Sequence, residues 1–276
     1  MKILVMGATG SVGRRLVDRL VESGQQVRAM TRDASRAEGL PTGVDVRSGD
    51  FRAPETLPAV FDGVDSAYLF SDPETARTVV SHAEEAGIRR IVALSSIMAD
   101  EQDGAEVRNP VEEAVRGSGL DWTILRPGPF SANARNWWAY AIREFGMVRW
   151  IYPEARLAPI HEDDVAAVAA AALLDESHTG HRYTLSGPET LTQAEQVRII
   201  GKEIDRSLAF EEITPEEARA MLSGAGVPEQ IIDKLIDLLA RMREAGSRVA
   251  PTVEQVTGRP ARTFAQWVSD NAHVFR

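Results

Sequence analysis

The chain contains no cysteine. That absence removes disulfides, thiolate nucleophiles and cysteine-ligated metals together. Lysine is nearly absent too: among 31 basic residues only Lys2, Lys202 and Lys234 are lysines, so none stands between positions 2 and 202. No apolar run approaches the ~20 residues of a membrane span, which argues against a membrane partner. The net charge is -10 and the basic residues are scattered, which argues against a nucleic-acid surface. The first residues run from one lysine through a short apolar stretch into a glycine loop, unlike a signal peptide. A cytoplasmic location is the expectation.

What is present is enough for a large α/β body. The 276 residues are 43 % hydrophobic, which supports a sizeable core. "KILVM", "QQVRAMTR", "VDVRSGD", "DSAYLF", "RRIVALSS" and "DWTILRP" read as strands, with helical stretches between most of them, such as "SVGRRLVDRLVESG" and "PETARTVVSHAEEAG". That alternation predicts a Rossmann-type, doubly wound parallel sheet. The alanine-rich helix "EDDVAAVAAAALLD" and the strand "HRYTLSG" follow, and from 190 onward helices dominate. Thr192 with Glu195, and Thr214 with Pro215 and Glu217, match capping boxes. The expected division is a body over 1–186, with 133–154 contributing to a substrate cleft, and a smaller, mostly helical C-terminal lobe over 187–276.

Gly7, Gly10 and Gly13 follow the first strand and open the first helix, the context a dinucleotide fingerprint requires. Gly7 permits the turn, Gly10 admits the pyrophosphate, and Gly13 lets helix and strand pack closely. The second strand ends in Thr31 and Arg32, where an acid would bind the ribose of NAD and a base suits the 2′-phosphate of NADP. The planar Arg32 donor fork favours NADP(H) over NAD(H); the other reading is a solvated arginine paired with Asp33. Asp50, with Phe51 beside it, suits the adenine amino group or a helix cap. "HEDD" at 161–164 has metal-ligand letters, but four adjacent residues cannot all face one ion, and acids belong in the first turn of a helix; no metal is expected. Trp137, Trp138, Tyr140, Trp150 and Tyr152 crowd a chain with 6 % aromatics. With Phe130 they form either an apolar wall for a ring substrate or a packed core.

"GATGSVGRRLV", "VRAMTR", "GDF", "VALSS", "SGLDWTILRPGPFSAN", "DDVAAVAAAAL" and "TGRPARTFAQWV" together resemble NmrA-like proteins. These are atypical short-chain dehydrogenase/reductases that include NADPH-dependent quinone reductases and redox-sensing regulators. The resemblance covers nearly the whole chain, and "SGLDWTILRPGPF" is its most specific stretch. It implies an NADP-binding Rossmann body and a C-terminal lobe closing over the nicotinamide. It also implies a substrate cleft lined by the loop after "ILRP", reaching Asn133. It adds Thr9, Ser11 and Val12 to the cofactor residues, along with Leu69, Phe70, Ser71 and Ser95.

Typical short-chain dehydrogenases pass a proton from a Tyr-x-x-x-Lys pair. The lysine-free stretch excludes that pair from the Rossmann half. Tyr152 and Arg156 have matching spacing in "YPEAR", which reads as a loop. By resemblance, Arg108 takes the place where related reductases often carry His or Lys. A permanently protonated arginine stabilises an oxyanion but donates a proton poorly. Arg108, Ser95 and Tyr140 are the catalytic candidates. A quinone reduced to a delocalised hydroquinone anion needs little help from an acid, whereas a ketone needs much. The expectation is therefore an NADPH-dependent oxidoreductase acting on a quinone or conjugated aromatic, polyketide-like substrate. The alternative is an NADP-binding redox sensor without turnover. Both a monomer and a homodimer are compatible with the sequence.

Overall fold

The computed structural model describes residues 1–97 and 109–276. In chain order the elements are β1 (Lys2–Met6), α1 (Ser11–Glu22), β2 (Gln26–Thr31), β3 (Asp45–Ser48), α2 (Leu57–Phe61), β4 (Ser66–Leu69), α3 (Ala76–Glu85) and β5 (Arg90–Leu94). They continue with α4 (Pro110–Arg116), β6 (Asp121–Pro127), α5 (Asn133–Phe145), β7 (Met147–Trp150), β8 (Arg156–Leu157), α6 (Glu162–Leu174) and β9 (Arg182–Leu185). The remainder is β10 (Leu191–Thr192), α7 (Gln193–Glu203), β11 (Ala209–Glu212), α8 (Pro215–Gly224), α9 (Glu229–Glu244), α10 (Thr252–Thr257) and α11 (Phe264–Asn271).

These elements form two units. The first comprises 1–128, 162–185 and 252–259. Its seven-stranded sheet has the order β3-β2-β1-β4-β5-β6-β9, and every pairing in it is parallel. Side chains alternate across it as the pleat requires. Leu4, Met6, Ala67, Leu69, Ile91 and Ala93 face a core shared with α2, α3 and α4. Ile3, Val5, Tyr68 and Val92 are equally buried between these positions. Burial without a hydrogen-bond partner pushes the Tyr68 phenol above its ordinary range. Helices α1 and α6 pack together, and Arg19 bridges them to Asp163 at 2.8 Å. The strand order turns outward in both directions from β1 and β4, so the carboxyl ends of these two strands form the switch point at which doubly wound sheets bind ligands.

The second unit comprises 129–161, 186–251 and 260–276. Its strands make two ribbons, a parallel β7–β11 pair and an antiparallel β8–β10 pair. Trp138, Trp150, Phe264, Trp267 and Phe275 anchor its core. The expected single break after 186 is therefore replaced by an interleaved division. Residues 129–161 go with the C-terminal lobe because β7 and β8 find their partners there. Residues 252–259 go with the Rossmann body because α10 packs on α6 and β9.

Candidate functional site

The glycine loop is built as the spacing requires. Gly7 turns the chain out of β1 with φ +65°, a conformation glycine adopts without steric cost. Gly10 N–H donates to the Gly7 carbonyl at 2.9 Å, and Ala8 N–H to Met30 at 3.2 Å. A Cβ on Gly13 would lie 2.2 Å from the Gly7 oxygen, so only glycine lets α1 approach β1 this closely. Gly10 caps α1 without any side-chain bond, and the first turn holds no acid. The first N–H groups of α1, at Ser11, Val12 and Gly13, and the positive dipole end are therefore not neutralised by a cap side chain or a first-turn acid. Such a terminus suits a phosphate.

The surrounding residues fit a dinucleotide. Ser71, after β4, is 9 % exposed, and its hydroxyl has no hydrogen-bond partner. A buried orphan of this kind calls for a ligand atom or water. Thr9 Oγ1 lies 3.5 Å from Thr31 Oγ1, and Thr31 Oγ1 donates to the Asp33 carbonyl at 3.1 Å. Arg32 is exposed. The Asp33 carboxylate accepts from Ser35 N–H at 2.9 Å and from Ser35 Oγ at 2.7 Å. Asp50 Oδ1 accepts from Arg52 N–H at 2.9 Å, so a local turn occupies this oxygen.

The sequence reading named Phe70 and Phe51 but not their contact, and it missed Arg52. Phe70, 44 % exposed, places a ring carbon 3.4 Å from where a Cβ on Gly7 would stand, and meets Phe51 edge-on at 6.0 Å. The Phe70 ring thus lies beside the glycine turn. Arg52 also bridges to Asp72 at 2.8 Å, tying the loop after β3 to that after β4. Burial alone would raise the Asp72 carboxyl, but hydrogen bonds from Thr75 and Arg52 outweigh it and hold the group below the usual carboxylate range. The side chains of Val12 and Leu69 are buried, so these residues offer a ligand only backbone groups.

At the ends of β5 and β6, Ser95 N–H donates to Leu125 at 2.7 Å. Ser95 Oγ donates to Glu112 Oε1 at 2.5 Å and accepts from Asn109 Nδ2 at 3.2 Å. Arg108 lies outside the described residues. Tyr140 stands on α5, 66 % exposed, with its ring edge against Phe145, a setting that gives a proton-transfer role no support. Trp138 is 1 % exposed and Trp137 stacks on Trp150 at 5.8 Å. For Trp138 and Trp150 packing is the role; they are core, not wall. Phe130, Asn133, Trp137 and Tyr152 are only partly buried. Tyr152 sits in a loop with φ +52°, as "YPEAR" implied, with the Arg243 guanidinium 4.7 Å from its ring centroid. Asp163 of "HEDD" pairs with Arg19. Among the described residues no cluster of three His, Cys, Asp or Glu is arranged for a metal, and no helix is long and apolar enough to cross a membrane.

Comparison with known proteins agrees with this geometry. The family model described as NAD(P)H-binding matches residues 7–176. The chain is 38 % identical to a (4-alkanoyl-5-oxo-2,5-dihydrofuran-3-yl)methyl phosphate reductase of Streptomyces griseus, over 99 % of both chains. It is 33 % identical to an NAD(P)H azoreductase of Xenophilus azovorans, again over 99 % of both. The structure matches the NADPH complex of an NADPH-dependent quinone oxidoreductase from Escherichia coli with TM-score 0.83 and 26 % identity, over 99 % of this chain and 100 % of that one. The chain belongs to the NAD(P)H-binding family, and the resemblance to NmrA-like atypical short-chain dehydrogenase/reductases is borne out. It is an oxidoreductase of that group.

Proposed function

We propose that this protein is an NADPH-dependent reductase of quinones or similarly conjugated acceptors. The observation that carries the reading is a built dinucleotide cradle inside a body that, by sequence, has no lysine between positions 2 and 202. Gly7, Gly10, Gly13 and the start of α1 would hold the pyrophosphate, Ser71 would meet its orphaned hydrogen bond there, and Arg32 would read the 2′-phosphate. NADPH, when bound, supplies a hydride.

The substrate class follows from what the side chains lack. With no Tyr-x-x-x-Lys pair to protonate an alkoxide, the acceptor must delocalise the charge it receives. The names of the relatives support this: a quinone, an azo compound and an alkanoyl furanone are all conjugated acceptors. Phe130, Trp137 and Tyr152 are the proposed contacts for a flat ring. The test is to mix the purified protein with NADPH and a panel of quinones, enones, azo compounds and simple aldehydes. Loss of the reduced-nicotinamide absorbance with the conjugated members alone is the expected result. No loss with any of them would overturn the reading.

A further inference from the structure

A buried polar network joins the carboxyl ends of β5 and β6 to the start of α4. Glu112 and Arg126 are 3 % and 7 % exposed. Arg126 Nε donates to Glu112 Oε1 at 2.8 Å and Nη2 to Oε2 at 2.6 Å, a two-pronged ion pair. Oε1 also receives the Ser95 hydroxyl. Asn109 caps α4 by accepting from Val111 and Glu112 N–H, and its amide nitrogen donates back to Ser95 Oγ.

The donors and acceptors fix the serine proton. A carboxylate forked by arginine only accepts, so the single Ser95 proton is directed at Glu112. Asn109 occupies one lone pair. Among the described residues no other donor meets this hydroxyl, so one lone pair is left on the half-buried Ser95 at the carboxyl end of β5, along the edge where doubly wound sheets hold a dinucleotide.

We infer that Glu112, locked by Arg126, is a positioning residue that turns Ser95 into a hydrogen-bond acceptor for the cofactor rather than a proton donor for the substrate. The inference rests on the NADPH-dependent reading above. The complementary ligand group is an N–H or O–H donor of the bound nucleotide, either its carboxamide nitrogen or a ribose hydroxyl.

Binding calorimetry provides the test. Ser95→Ala leaves the Arg126–Glu112 fork in place and is expected to weaken NADP+ about two- to tenfold, the worth of one ordinary hydrogen bond. Glu112→Gln sets its amide nitrogen against an Arg126 N–H in either orientation, which breaks the fork that locks position 112, and should also weaken NADP+. Because that variant also strands a buried guanidinium, the pair is replaced in E112M/R126M, which keeps volume and removes both charges. The double variant should melt close to wild type yet bind NADP+ as weakly as Ser95→Ala; a merely structural role would restore affinity along with the melting temperature. The acetylpyridine analogue of NADP+, which has a methyl group in place of the carboxamide nitrogen, separates the two donors. A loss on Ser95→Ala confined to NADP+ assigns the carboxamide, and an equal loss with the analogue assigns the ribose. The pH profile of kcat/KM should be the same in Ser95→Ala as in wild type, because the hydroxyl passes no proton. Wild-type affinity in both Ser95→Ala and the double variant would overturn the inference while the parent reading stands. A wild-type protein that binds no NADP(H) would overturn both.

Discussion

Gly10 and Gly13 make different demands on their missing side chains, and alanine at each position separates folding from binding. A Cβ at position 13 would stand 2.2 Å from the Gly7 oxygen, whereas real contacts of this kind stay above 3.0 Å, so α1 must move off β1 by about 0.8 Å. The helix has little room, because Leu16, Val17 and Leu20 are fully buried beneath it. Overpacking of this sort costs about 1–3 kcal/mol, against a helix-propensity gain of about 1 kcal/mol. At roughly 2–4 °C per kcal/mol for a body of this size, Gly13→Ala should lower the melting temperature by several degrees and weaken NADPH through the displaced amides. At position 10 the same carbonyl lies 3.1 Å away, which a few tenths of an ångström relieve. Gly10→Ala should therefore melt nearly as wild type while losing NADPH affinity, and Gly10→Val should lose it entirely. Gly224→Ala, at the exposed end of α8 with no atom within 4 Å of its Cβ, is the control and should not lower stability. Thermal melts and calorimetric titration with NADPH check all four. A Gly13→Ala protein with wild-type melting and affinity would refute the reasoning.

Arg32→Ala should weaken NADPH and leave NADH nearly unchanged; equal losses in calorimetry would show that Arg32 does not read the 2′-phosphate. Quinones should be reduced briskly and unactivated ketones should not, since a missing general acid forfeits about 10²–10⁴-fold; rapid reduction of an aliphatic ketone would reveal a proton donor elsewhere. Acid should destabilise the capped helices: the N–H groups of Thr192 and Thr214 hold Glu195 and Glu217 below the 4.5 of a free glutamate. Depressed folded values mean that the unfolded chain takes up protons first, so this stability is present above pH 4.5 and is lost as pH falls through the folded values. Urea midpoints measured across that range should fall more steeply for wild type than for a Glu195→Gln/Glu217→Gln variant.

The parts of this molecule that were legible in sequence are those set by neighbours along the chain. Strand and helix periods placed the Rossmann elements, and the boxes at Thr192 and Thr214 formed as read. The Thr263–Gln266 box follows the same local rule, so its signal was present and passed over. The ribbons of the second unit carried no such signal. "MVRW" meets "AFEE" more than fifty residues later in a parallel pairing, and β8 and β10 are two residues each, too short to show a period. The aromatic group was ambiguous for a related reason: composition locates rings in sequence, but only tertiary packing decides that Trp138 and Trp150 join one buried core with Ile142, Ile200 and Leu239.

The candidate site shows the same boundary from the other side. "SGLDWTILRPGPF" was the most family-specific stretch in the sequence, yet no local rule explained the arginine near the buried end of its strand. Adjacent parallel strands end at the same edge of a sheet, so Ser95 after β5 and Arg126 near the end of β6 arrive together, and α4 returns Glu112 between them. In sequence Glu112 is one of two acids in the first turn of a helix, where a carboxylate needs no explanation beyond the dipole. Buried against Arg126, it cannot be only that, because a helix-end acid that merely answers the dipole stays in water, and removing water from this one is offset by the fork and by the Ser95 hydroxyl. A charge so enclosed holds its neighbours' protons in place, and that constraint, rather than the identity of any one residue, decides which atoms of Ser95 a ligand can meet.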